Sequence, residues 1–193
     1  MNFEKKNTLM ILIAGKARSG KGEVAKIFEE ELKKEGKKVI VSPYTKYLKR
    51  YIYEITGEYR DDDNKPRDLL QKLSSELIKK ELNNQNFFIN RQIEDLSFYS
   101  YFMDVVLIPD VRFKEEIEEI RKKFSNVLAI GVERKNYLSI LTKEQQEDIT
   151  ETALDNYKDY DYLLENTSLE SLYREVLKII ENLRKEERIW IRL

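Results

Sequence analysis

The chain has 193 residues, enough for one substantial domain or two small ones, and with 41% hydrophobic and 37% charged residues, six glycines and three prolines its composition is that of a helix-rich globular protein. Thirty-five basic residues against thirty-six acidic ones leave a net charge of −1, which disfavours a chain devoted to nucleic acid polymers. The absence of His and Cys removes imidazole bases, thiol nucleophiles, disulfides and His or Cys metal ligands.

Lys5 and Lys6 precede the apolar run Leu9–Ala14, a superficial copy of a signal peptide, but six residues are too few for its hydrophobic segment. No other apolar stretch approaches the ~20 residues that cross a bilayer, so no membrane association and a cytoplasmic location are expected. Leu9–Ala14 reads instead as a strand buried on both faces of a parallel sheet. An amphipathic helix follows, carrying Val24, Ile27, Phe28 and Leu32 at helical spacing and stopping at Gly36. Lys37–Ser42 is a second strand, and Tyr44–Thr56 a helix with Tyr47, Leu48, Tyr51, Ile52 and Ile55 on one face. That spacing makes the tyrosines core residues rather than a base-stacking platform.

Glu58–Asn64 reads as a loop, and a helix beginning near Pro66 carries the stripe Leu69, Leu70, Leu73, Leu77, Ile78. A further helix covers Phe87–Leu96. Asp104–Pro109 is a third buried strand, Lys114–Phe124 a helix with Glu115–Glu119 on a solvated face, and Val127–Val132 a fourth strand. The polar stretch Arg134–Asp155 contains a short helix at Thr142–Asp148. Tyr160–Glu165 is a last strand, and a long helix runs from Leu169 to about Glu187, ahead of Trp190. Strands alternating with helices predict an α/β sandwich around a mostly parallel sheet, with ligands beyond the C-terminal strand ends.

Gly15-Lys16-Ala17-Arg18-Ser19-Gly20-Lys21 satisfies GxxxxGK between the first strand and first helix. Glycine permits backbone angles that turn successive N–H groups around phosphate oxygens. The following helix directs its positive end at the same anion, and Lys21 adds a charge over the β- and γ-phosphates. Gly22 stands where a Ser or Thr hydroxyl usually reaches Mg²⁺. GKG also occurs in adenylate-kinase-like loops, which usually continue with Thr where this chain has Glu23. Glu23 either complements the helix dipole or helps hold a metal through water.

Three distal elements accompany the loop: Asp110-Val111-Arg112-Phe113 after a buried strand, Thr150-Glu151-Thr152-Ala153-Leu154-Asp155, and Asp159–Asn166 ending a strand in Asn. Pro66-Arg67-Asp68-Leu69-Leu70-Gln71 forms a fourth. Together with GKARSGK they resemble the small P-loop kinases of deoxynucleoside monophosphates found in phages and bacteria, and the animal-type phosphomevalonate kinases. The resemblance covers most of the chain. It departs at Ile149, where those families often carry a second acid, and at Glu23.

The resemblance implies a three-layer P-loop NTPase fold of the nucleoside monophosphate kinase type, as a single domain over 1–193. Residues 43–100 would be a helical acceptor-binding region, and 134–155 a lid-like segment that orders around nucleotide. ATP and Mg²⁺ are the expected cofactors. Gly15 through Glu23 would hold the nucleotide, with Lys21 and Arg18 on the transferring phosphate. Asp110 would orient the metal or, alternatively, cap the helix Lys114–Phe124. Arg112 would fork onto an acceptor phosphate. Arg134 would close over the nucleotide, or pair with Glu133 or Glu151. Ser42, Lys49, Arg67, Gln71, Arg112 and Glu151 are the acceptor-side candidates. The expected activity is phosphoryl transfer from ATP to a (deoxy)nucleoside monophosphate. Another phosphorylated metabolite, such as phosphomevalonate, and a regulatory module of weak turnover are the alternatives.

Overall fold

The computed structural model describes residues 3–57, 69–70, 72–134 and 148–189. Leu9–Ala14 (β1) forms the middle of its sheet, with no residue more than 1% exposed. Its neighbours are Val105–Val111 (β3) on one side and Val127–Glu133 (β4) on the other, with Ile11 opposite both Leu107 and Leu128. Val39–Val41 (β2) and Tyr162–Glu165 (β5) complete the order β2-β3-β1-β4-β5, with every pair parallel. The continuous apolar run of β1 follows from this position. Leu9, Ile11 and Ile13 enter one core, Met10, Leu12 and Ala14 the other, so no position in the strand can be polar.

The first core is closed by two helices. Lys21–Lys34 (α1) contributes Val24, Phe28 and Leu32, and Leu169–Lys185 contributes Leu172, Val176, Ile179 and Ile180. Thr45–Thr56 (α2), Phe87–Tyr99 (α3), Lys114–Lys123 (α4) and the short Ile149–Thr152 (α5) precede that last helix, α6. Leu96 of α3 and Ile117 and Ile120 of α4 line the second core. Gly36, at φ +74°, ends α1 as expected, with the Lys37 N–H returning to the Leu32 carbonyl at 3.0 Å. No described helix is long and apolar enough to cross a membrane.

Several expectations are corrected. β2 has three residues, three fewer than Lys37–Ser42. β3 continues to Val111, past Pro109. From the pair Leu12/Ile108 to the pair Ala14/Val111, β1 advances two residues and β3 three. The extra residue at Pro109–Asp110 is a bulge, which re-aims side chains where proline has no N–H to give the ladder.

Lys72–Glu81 is a π-helix. Its wider turn breaks the 3.6-residue stripe: Ile78 is buried, but Leu77 is 45% exposed. Ile55 is 75% exposed, because the buried face of α2 runs through Tyr44, Leu48 and Ile52 at four-residue steps and its last turn carries no further buried side chain. The helix expected at Thr142–Asp148 lies outside the described residues except for Asp148, and Trp190 lies outside them too.

Candidate active site

β1 delivers the chain into the loop with its first glycine pressed against β4. Gly15 has φ +146°, and a Cβ there would stand 2.3 Å from the Val132 carbonyl oxygen. Gly20 has φ +109°, and its Cβ would stand 2.5 Å from Asn166 Nδ2. Neither position tolerates a side chain. Asn166, at the end of β5, donates from Nδ2 to the Ser19 carbonyl at 2.8 Å and so ties the last strand to the loop. Arg18 also sits in the left-handed region, at φ +58°, a strain typical of functional loops.

Lys21 is 8% exposed, and its ammonium donates to the carbonyls of Gly15 and Lys16 at 2.6 Å each. It therefore spans the loop rather than pointing to solvent. Ser19 is 3% exposed, and its hydroxyl has no partner among the described residues, which leaves a buried donor for an anion. The N-cap Gly20 supplies no side-chain acceptor to the first turn of α1. Those N–H groups, the Ser19 hydroxyl and the Lys21 charge together fit a polyphosphate.

The distal elements converge on this loop. Glu151 Oε2 accepts the Ala17 N–H at 2.7 Å, and its Oε1 accepts from Arg112 Nη1 at 2.9 Å. Asp155 pairs with Lys16 at 2.7 Å. Arg134 is exposed and lines a cavity of about 760 Å³ beside the loop. Leu154, Tyr157, Tyr160 and Leu163 make the apolar part of that cavity. Glu23 and Gly22 are exposed in the first turn of α1.

Asp110 does not cap Lys114–Lys123. Its two oxygens accept the N–H groups of Tyr44 and Thr45, each at 2.9 Å, and so cap α2. Each oxygen keeps a second lone pair, enough for a metal-bound water. With Gly22 lacking a hydroxyl, and no group of three acidic residues placed for a metal among the described residues, those residues offer no direct magnesium cage. A magnesium ion here would take its ligands from phosphate and water.

Of the residues expected to meet an acceptor, Ser42 is 1% exposed and held by the protein. Gln92 Nε2 donates to its carbonyl and hydroxyl oxygens at 2.9 and 3.0 Å, and Lys46 donates to the same hydroxyl at 2.7 Å. Lys46 also pairs with Asp95, which accepts the Tyr47 hydroxyl at 2.8 Å. The sequence reading missed Gln92, Lys46 and Asp95. Gln92 did leave a trace in the sequence, an amide at helical spacing between Ile89 and Leu96, and in the structure it is fully buried with them. Lys49 is half-buried on α2, while Arg67 and Gln71 lie outside the described residues.

Two solved kinase structures share this arrangement of sheet and helices. The APS kinase of Mycobacterium tuberculosis, in complex with AMPPNP and APS, superposes with a TM-score of 0.55 at 14% identity, over 91% of this chain and 99% of that one. The shikimate kinase of Bacteroides thetaiotaomicron gives 0.53 at 16% identity, over 91% and 98%. The fold is the three-layer α/β fold of the P-loop NTPases. At these identities the likeness is one of fold. No protein-family model matches the sequence, and no curated protein sequence matches it.

In this fold one buried acid lies just behind the site. Glu116, expected on a solvated face, is 7% exposed. Its Oε2 accepts the N–H groups of Arg112 at 2.7 Å and Phe113 at 3.1 Å. This is half a capping box, since the N-cap Phe113 has no oxygen to reciprocate. Burial pushes the Glu116 carboxyl up to about 7, against the pull of those two N–H groups. Nearby, the Lys79 ammonium stands 3.9 Å from the Phe113 ring centroid, and burial lowers its pKa.

Between the ordinary carboxyl value of 4.5 and about 7, the native protein keeps a proton that the unfolded chain has released. Stability therefore falls as pH rises through this window and levels off above it, by up to about 3 kcal/mol. Glu116→Gln keeps an oxygen for both N–H groups and cannot ionise. Urea unfolding at pH 5 and pH 8 should show the loss in the wild type and a smaller one in the variant. Equal pH dependence in both would contradict the burial of this charge.

Proposed function

We propose that the chain transfers a phosphoryl group from ATP to a small phosphorylated acceptor, and that this acceptor is a ribo- or deoxyribonucleoside monophosphate. One observation carries the reading. A loop whose conformation demands glycine at 15 and 20 has the buried Lys21 ammonium across it, and Glu151 ties the Arg112 guanidinium to its backbone. In use, Lys21 would exchange its carbonyl partners for β- and γ-phosphate oxygens. Gly15 through Glu23 would surround the triphosphate, with Arg18 and Arg134 flanking the transferring group. The neighbouring cavity of about 760 Å³ has room for a nucleoside.

Arg112 would take the acceptor phosphate with its planar fork. The region 43–100, with Lys49 and the cluster of Ser42, Lys46, Tyr47, Gln92 and Asp95, would border the rest of the acceptor. Magnesium, when bound, supplies charge neutralisation on the phosphates, and Asp110 is the residue that would hold it through water. Such a transfer needs positioning and charge neutralisation and no protein nucleophile, which suits a chain without His or Cys. The two solved kinases support the donor half of the reading: one was solved with AMPPNP, and their named substrates, APS and shikimate, are small molecules.

A coupled ADP-release screen over nucleoside monophosphates and other phosphorylated metabolites tests the acceptor. Release stimulated by a nucleoside monophosphate is the expected result, and stimulation by a different phosphorylated metabolite alone would overturn the nucleotide assignment. Lys21→Ala should lower ATP affinity by about 1.5–3 kcal/mol and abolish most turnover, while the chain still folds cooperatively with a melting temperature lowered by only a few degrees. Calorimetry with unchanged affinity would remove the donor site.

The missing hydroxyl at position 22 favours one other reading, a nucleotide-binding module of low turnover. Nothing lies within 4 Å of a Cβ built on Gly22, so Gly22→Ser fits without displacement. In a kinase, the added hydroxyl should lower the magnesium concentration for half-maximal turnover by about tenfold, worth ~1.4 kcal/mol. A variant with no response to acceptor at any magnesium concentration would favour the module.

A further inference from the structure

We propose that Glu151 is a positioning residue that couples the acceptor arginine to the phosphate loop, so that filling one substrate site changes affinity at the other. The proposal rests on the donor and acceptor assignments above. Its basis is a single carboxylate divided between two functional segments. Oε2 holds the Ala17 N–H at 2.7 Å, inside the loop, and Oε1 holds Arg112 Nη1 at 2.9 Å, at the end of β3. The side chain is 10% exposed and its arginine partner 24%, so solvent screens the pair little. By contrast, the Lys16–Asp155 pair from the same segment is 59% and 42% exposed and is a weak tie.

Both ends of the bridge are firmly set. Glu151 sits on α5, whose N-cap Asp148 accepts the Thr150 N–H at 2.8 Å. Arg112 is fixed at its backbone by Glu116, which leaves its side chain as the part that can respond to a ligand. Of the Arg112 guanidinium, only Nη1 is bonded among the described residues, to Glu151 and to the Thr150 carbonyl at 3.4 Å. Nε and Nη2 are left for an acceptor phosphate. An anion drawing Arg112 forward therefore pulls on the carboxylate that holds the loop backbone. A triphosphate that shifts the Ala17 amide moves the partner of Arg112. Linkage makes the two effects equal in free energy.

A double-mutant cycle tests this with AMPPNP as the probe. Affinity is measured by calorimetry for the wild type, Arg112→Ala, Glu151→Ala and the double variant, with Glu151→Gln as the milder replacement, which can satisfy only one of the two partners. Arg112→Ala should weaken AMPPNP by about fivefold, at the lower end of typical couplings, and should have no further effect once Glu151 is gone. The Ala17 amide resonance should move on Arg112→Ala in the wild-type background and stay in place in the Glu151→Ala and Glu151→Gln backgrounds, a signature that general loss of packing would not give. Equal effects of Arg112→Ala in all backgrounds, with AMPPNP still bound, would overturn the coupling alone. A wild type that does not bind AMPPNP would overturn the donor reading and the coupling with it.

Discussion

The structure depends on the contact between Gly15 and the carbonyl of Val132. β1 is buried between β3 and β4, and its chain can leave the sheet only where no Cβ collides with the neighbouring strand, 2.3 Å away. That exit sets where the loop begins, and Gly20, against Asn166, sets where it ends. Between these two points the backbone has little choice. The buried lysine, the first turn of α1 and the ends of β3, β4 and β5 are thereby brought to one side of the sheet.

The polar chemistry behind the loop is arranged around Arg112. The bulge at Pro109–Asp110 lets β3 place Asp110 on the start of α2 while Arg112 turns toward α5. Two carboxylates then divide the arginine, Glu116 at the backbone and Glu151 at the guanidinium. Their environments differ. Glu151 is compensated by a cation, whereas Glu116 is held mainly by N–H dipoles, and burial raises its pKa. An acid with no ion-pair partner is costly to bury, and Glu116, which has none among the described residues, persists here at the turn that presents the Asp110-Val111-Arg112 element.

What the sequence made legible was local. The run Leu9–Ala14, the glycines of GKARSGK and the helix after them lie within some twenty-five residues, and β1 has its expected bounds. Glu151 and Arg112 could be nominated by resemblance to kinase motifs, and the structure brings them together 39 residues apart. The misses were long-range or depended on three dimensions. Asp110 binds amides 65 and 66 residues earlier, a partnership no spacing rule reports. Glu116 looked like one acid among several on a polar helix face, and only its turn back to the Arg112 and Phe113 N–H groups distinguishes it. The stripe from Leu69 to Ile78 carried a helical period, but nothing in it announced the wider π-turn that exposes Leu77.

The claim on which the rest stands is that the backbone of residues 15–23 receives a triphosphate. An amide-resolved NMR titration with AMPPNP and magnesium tests it directly. The account predicts that the largest shifts fall on Gly20, Lys21 and Gly22 and on the Ala17 amide tied to Glu151. The edge strand β2 and the C-terminal half of α6 should be unmoved. Saturating AMPPNP that leaves the loop amides in place, or shifts a different surface instead, would contradict it.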